Sequence, residues 1–328
     1  MARRVRKRRK KKVPEAALTL DDYQFAGEKR VYWEGVGGLV GIWLFITWDI
    51  AYFLVGVLNA KVKPDAPLYH DYWLPIGLIV YLALAWLIAN WLAVRPRRRQ
   101  LKEAGMNRRV LNKTYPKLKS ILGEQAKLLV MDEPEMYVID DDTPYIFSMP
   151  GRNGTIVTTD PVVGAMSDEE MAALIAREMG HIKSHHVRMA FVTRFIRRAN
   201  VVAQVLLFPV RMIALFLRGW LDLIEVTADR VALLVTGRPA LVNAALVKLA
   251  VAADREAEIS QEDLDAFLES ATDISTDAAQ IERHYMMGQF LTKQPHLRER
   301  IEEVTGFLRT EEGQQAMQKM TEMKQKLA

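Results

Sequence analysis

The sequence predicts a mainly α-helical protein with a small β-sheet, an α+β domain carried on a two-span transmembrane helical anchor. Three observations predict it. Two apolar runs near the N-terminus are each long enough to cross a hydrocarbon core of roughly 30 Å as a helix. Short β-type runs separated by turn residues follow them. The rest of the chain places apolar residues mostly at helical spacing.

The anchor comes first. Residues 36–58 are apolar except for Thr47, Asp49 and the polar tips of Trp48 and Tyr52, and residues 73–94 are apolar except for Asn90. Tyr32, Trp33, Tyr72, Trp73 and Trp91 crowd the ends of these runs, as interfacial aromatic residues do. The outer flanks are basic: nine Lys or Arg within residues 3–12, then Arg95, Arg97, Arg98, Arg99 and Lys102. The positive-inside rule places both flanks in the cytoplasm and the loop at 59–72 outside. A signal peptide is not expected, because the first apolar run starts late and no small-residue cleavage site follows it. Asp49, near mid-span, is expected to face protein or water and to help the spans associate.

Charge and composition narrow the function. The 328 residues contain no cysteine, which excludes a disulfide framework and any thiolate metal site. The net charge of +5 comes from the tail, and the body without it is net acidic, so no specific nucleic-acid surface is expected. Next to an apolar span the tail reads first as a topology signal, and membrane lipid is an expected partner of the chain. The organisation that follows is a basic cytoplasmic tail at 1–34, a transmembrane hairpin at 35–94, and a cytoplasmic domain at 95–328. A further apolar run at 201–217, broken by Gln204, Pro209 and Arg211, marks a membrane-associated helical segment near 190–220.

Within the domain, residues 102–122 read as an amphipathic helix broken at Pro116. Residues 128–130, 136–139, 145–147 and 155–159 read as strands of a small antiparallel sheet. Ser167 and Glu170 form a capping box that opens the next helix, whose apolar face holds Met171, Leu174, Ile175 and Met179.

That helix carries the segment Arg177-Glu178-Met179-Gly180-His181. A zinc-peptidase helix uses H-E-x-x-H: two His one turn apart hold the metal, and the Glu acts as general base on its water. Glu178 and His181 are in place here, while Arg177 stands in the first ligand position. Arginine has no lone pair to give and is always charged. His185 and His186 follow on the same segment as possible alternative ligands.

Later come Glu225-Val226-Thr227-Ala228-Asp229-Arg230 and Gln294-Pro295-His296-Leu297-Arg298-Glu299-Arg300-Ile301. Together these three segments resemble the HtpX and CAAX-prenyl-protease family of membrane zinc metallopeptidases, of gluzincin type. The family patterns are E-x-x-A-D-R and H-P-x-x-x-x-R-I, so Gln294 departs where Pro295, Arg300 and Ile301 match. The resemblance implies Glu178 as general base, His181 and Glu225 as metal ligands, and Asp229, Arg300 and Gln294 as groups supporting them. It implies an integral, multi-pass protein of the bacterial inner membrane. It also implies that the run from residue 154 to 159 is an edge strand able to take an extended peptide.

With Arg177 in the set, the expected function is a catalytically impaired pseudopeptidase. It would serve as a binding or scaffold subunit of a membrane-protein complex, with no cofactor bound. An active membrane zinc endopeptidase in membrane-protein quality control, holding zinc, is the alternative. A lipid- or nucleic-acid-tethering protein working through its tail is a third. Arg177 is expected to pair with Glu225, and with Asp229 or Glu178 as a second partner.

Overall fold

The computed structural model describes residues 17–59, 108–191, 216–253 and 295–327, with isolated positions within 77–87 and at 212. The basic tail, the loop from residue 60 onward, nearly all of the second apolar run, most of 201–217 and Gln294 lie outside the described residues.

Helix α1, Glu28–Asn59, contains the first apolar run. Among the described residues no helix is long and apolar enough to cross a membrane. The side chains of α1 from Ile50 onward are themselves outside the described residues. On the described part, Phe45 is 67% exposed and Trp48 72% exposed, and Asp49 is exposed beside them. The foot of α1 is anchored differently. Val31, Tyr32 and Val36 pack on Leu217, Trp220 and Ile224, at the start of a later helix.

The sheet has four strands: β1 (Arg108–Arg109), β2 (Glu135–Ile139), β3 (Ile146–Met149) and β4 (Thr155–Thr159), in spatial order β1-β2-β4-β3. It is mixed, which corrects the antiparallel expectation. β4 lies parallel to β2 with Glu135 opposite Thr155, and antiparallel to β3 with Met149 opposite Thr155. The Pro150–Gly154 turn folds β4 back on β3 and slots it between its neighbours. A central strand must be covered on both faces, and Ile156, Val157, Thr158 and Thr159 are all buried. β3 alternates buried and half-buried residues, as an edge strand does.

Two further expectations are corrected here. Pro116 opens a helix instead of breaking one: α2 is Pro116–Leu128 with the proline in the first turn. Proline has no N–H to lose there, and its fixed φ suits that position. Residues 128–130 are no strand. They end α2, with Leu129 buried and Val130 at φ 53 turning the chain away.

After a short helix α3, Asp160–Ala165, comes α4, Asp168–Lys183, the central helix of the domain. Its capping box forms as expected: Ser167 Oγ accepts from the Glu170 N–H at 3.2 Å, and Glu170 Oε2 accepts from the Ser167 N–H at 2.8 Å. Helices α2, α5 (Arg218–Thr236) and α6 (Pro239–Ala253) and strand β3 all pack on α4. α5 comes close to α4 at residue 180, where glycine leaves room: a Cβ there would lie 2.9 Å from Cβ of Val231. Helices α7 (Pro295–Phe307) and α8 (Glu311–Leu327) close the core, with Ile301, Val304, Phe307 and Met320 buried.

Candidate functional site

The site lies between α4, α5 and α7. Arg177 and Glu178 sit two turns before the end of α4, and His181 one turn later, all buried. Glu225 and Asp229 are i and i+4 on α5, so they share one face and look toward α4. Arg300 comes from α7.

The Arg177 guanidinium is the hub. Its Nη2 donates to Glu225, its Nη1 to Glu178 Oε1 at 2.5 Å, and its Nε to Asp229 Oδ1 at 3.1 Å. The expected pair with Glu225 is therefore present, and Glu178 and Asp229 are both partners. The side chain is 10% exposed, against 3% for Glu178, 21% for Glu225 and 0% for Asp229. Arg300 clamps Asp229 from the other side, Nε to Oδ2 at 2.6 Å and Nη2 to Oδ1 at 2.8 Å. Burial works against the Arg300 charge, and the Asp229 carboxylate outweighs it, so the guanidinium is held more firmly protonated than in water. His181 Nε2 stands 3.7 Å from Glu225 Oε2.

These residues do not fit a zinc ion. Glu225 Oε2, the oxygen that faces His181, is also the oxygen taken by Arg177. A divalent cation between His181 and Glu225 would lie against a guanidinium that has no lone pair. Catalytic zinc sites use three protein ligands and an open position. Among the described residues no three His, Asp or Glu side chains are grouped so that they could hold a metal.

The other expected residues go elsewhere. His186, 3% exposed, directs its Nε2 at Glu28 Oε1, 2.9 Å away at the foot of α1. Its ring meets the His181 ring edge to face at 5.7 Å. His185 is exposed at φ 60, just past α4. The expected edge strand at 154–159 is corrected as well: β4 is paired on both sides, so its backbone has no ladder left to offer. The edge near α4 is β3.

Sequence reasoning missed Glu28. It is buried and accepts from Thr227 Oγ1 at 2.5 Å and Gln24 Nε2 at 3.0 Å, besides its contact with His186. Thr227 lies between Glu225 and Asp229, and its Oγ1 also accepts from the Phe25 N–H at 3.0 Å. The foot of α1 is thus bonded to α5 and to the segment that follows α4. Burial tends to raise the Glu28 carboxyl, but the hydrogen bond and charge of His186, with Thr227 and Gln24, hold it below the usual carboxylate value. No local pattern marks Glu28 as part of the site, since its partners His186 and Thr227 lie 158 and 199 residues away.

A Glu-and-His helix crossed by a helix bearing Glu and Asp, with a sheet edge beside it, is the framework of a metallopeptidase domain. The match is to the family: residues 112–307 fit the pattern of peptidase family M48, and the chain belongs to that family. Among curated relatives, the chloroplastic plastoglobule-localized metallopeptidase 48 of Arabidopsis thaliana is 32% identical over 157 residues, 47% of this chain and 45% of the relative. A protease HtpX homolog of Thermoplasma volcanium is 24% identical over 150 residues, 45% of this chain and 44% of the relative. One from Acidiphilium cryptum is 28% identical over 130 residues, 37% of this chain and 44% of the relative. The chain thus spans less than half the length of these relatives. No solved structure matches it.

Proposed function

We propose that this M48 member is a pseudopeptidase: a membrane-anchored protein that keeps the peptidase framework and uses it to bind a peptide or a membrane-protein partner without cutting it. The observation that carries the reading is the Arg177 guanidinium, held by Glu178, Glu225 and Asp229 where the first metal ligand of the H-E-x-x-H pattern would begin. General-base chemistry at Glu178 needs a carboxylate free to take a proton from an activated water. Here that carboxylate is engaged by a permanent cation. The feature retained is the β3 edge, which lies along α4 and pairs only with β4 among the described residues. An extended segment can add to such an edge through main-chain hydrogen bonds.

Membrane attachment is part of the same proposal. Its support is the apolar composition of residues 36–58 and 73–94, their aromatic ends and basic flanks, and the exposed apolar side chains of α1.

The experiment is metal analysis and a peptidase assay on the full-length protein in detergent, after a brief chelator wash. Well under one zinc per chain is expected, with no casein hydrolysis above that of Glu178→Gln. Stoichiometric zinc, or hydrolysis that disappears in Glu178→Gln, overturns the proposal.

A further inference from the structure

The β3–β4 turn and the end of α4 enclose a cleft of about 890 Å³ that the pseudopeptidase reading does not use. Two backbone features build it. Gly154 is at φ +83, and a Cβ there would lie 2.7 Å from the Ile182 side chain, so the turn presses directly on the helix end. His185 lines the cleft at φ 60, a conformation that costs a non-glycine residue free energy.

The cleft's charge is one-sided. Arg152, Lys183 and Arg188 line it, and Asp132 is the one carboxylate among the lining residues. Lys183 is fixed in place: its ammonium donates to the carbonyls of Leu18 and Leu129 at 2.8 and 2.9 Å. An ammonium has three N–H donors, so one remains beyond these two. Arg152 and Arg188 are exposed at the rim.

The position of the cleft relative to the sheet assigns its ligand. Met149, the last residue of β3, lines it, and Pro150 comes next. Proline has no N–H, so a ladder formed along β3 stops at Met149. The next residues of a strand added to β3 would leave the ladder and enter the cleft. Its volume suits a few residues better than one small anion, and Met149, Ile182 and Val187 give it apolar wall. We infer that this cleft is a carboxylate pocket, which selects extended peptides bearing acidic residues just past the segment that pairs with β3. The inference rests on the peptide-docking reading of β3 and adds the class of peptide.

The test uses the full chain in phosphatidylcholine nanodiscs and fluorescent strand-forming peptides that are identical except for a Glu-Glu or Gln-Gln pair at one end. Anisotropy titrations give Kd. The Glu-Glu peptide should bind about tenfold more tightly, the scale of two partly exposed charge contacts. Salt should reduce that preference. Arg152→Glu with Arg188→Glu should abolish the preference. Peptides N-methylated at alternate residues, which cannot form a ladder, should not bind.

Equal affinity for the two peptides, with N-methylation still abolishing both, would overturn the pocket and leave the β3 reading standing. Binding that survives N-methylation, or no binding of either peptide, would overturn the pocket and the β3 reading together. If the charge-reversed protein lost affinity only for phosphatidylserine vesicles and kept its peptide preference, the cleft would be a lipid site and the inference would be wrong.

Discussion

Arg177 and Arg300 converge on one oxygen: Nε of the first and Nη2 of the second lie 3.1 and 2.8 Å from Oδ1 of Asp229. Three helices meet at that buried carboxylate, α4 through Arg177, α5 through Asp229 and α7 through Arg300. Arg177 extends the network to Glu178 and Glu225, so two guanidinium groups serve three carboxylates. The cost of desolvating these charges is offset only while each keeps its partners.

Arg177→Ala should therefore destabilise the domain by about 3–5 kcal/mol, the range for breaking a buried pair and stranding its partners. Arg177→Ala combined with Glu225→Gln should cost less than the sum of the two single changes, because they share one interaction. Denaturant unfolding of the solubilised protein measures both. A loss under about 1 kcal/mol, the weight of a surface pair, would mean that the network is not buried in solution.

Arg177→His should restore the i, i+4 histidine pair on α4 and place it opposite Glu225. Near-stoichiometric zinc after the chelator wash is the expected outcome, measured by metal analysis. Adding Glu225→Ala should remove most of it. Uptake indifferent to Glu225 would show that the introduced imidazole finds other ligands. Recovered hydrolysis does not follow from this change alone, because Gln294 also departs from the family pattern.

The basic flanks give a topological prediction. Protease added outside intact cells should cut, at most, the loop at 59–72 and spare residues 95–328. A tag after residue 328 should be reached only once the membrane is opened. Digestion of the large domain in intact cells would reverse the orientation.

The parts of this fold that the sequence reveals are those written in short intervals. Ser167 and Glu170 are three residues apart, and their capping box is present. Glu225 and Asp229 are one helical turn apart, and both face Arg177. Long-range pairing was not legible. The parallel match of Glu135 with Thr155 depends on β4 slotting between two earlier strands. Thr158 and Thr159, polar in sequence, are buried in its interior. Pro116 is ambiguous in the sequence because a helix breaker and a helix starter are the same residue in different places. Glu28 falls in the stretch expected to be a free basic tail, and its role appears only once α1 stands against α5.

Gly180 gives a test of how tightly the two site helices must close. In an isolated helix, Gly→Ala is favourable by about 1 kcal/mol. Here the added methyl would lie 2.9 Å from Val231 Cβ and 3.3 Å from Ala228 Cα. Overpacking of this kind costs about 1–3 kcal/mol, so the clash should win and Gly180→Ala should destabilise. Gly180→Ala with Val231→Ala makes room and should recover part of the loss. A single variant more stable than the wild type would show that α4 and α5 are not in contact at this point.

The acid limb of the stability curve should carry the signature of Glu170. Burial tends to raise its carboxyl, but the ion pair with Lys248, 2.8 Å away on α6, and the Ser167 N–H hold it below its ordinary value of 4.5. A carboxyl depressed in the folded state binds fewer protons there than in the unfolded chain. Its stabilisation is therefore complete above 4.5 and is lost as pH falls through the lower folded value. Glu170→Gln keeps an acceptor for the Ser167 N–H and removes the charge, so near neutrality it should cost about 1 kcal/mol, the upper end of the range for a partly exposed ion pair. Other carboxylates titrate in the same range, so the informative quantity is the difference between wild type and variant. Denaturant unfolding of both across the acid range should show that difference shrinking once the pH passes below 4.5. A difference that holds constant, or widens on acidification, would show that the Glu170 charge contributes nothing to the joint between α4 and α6.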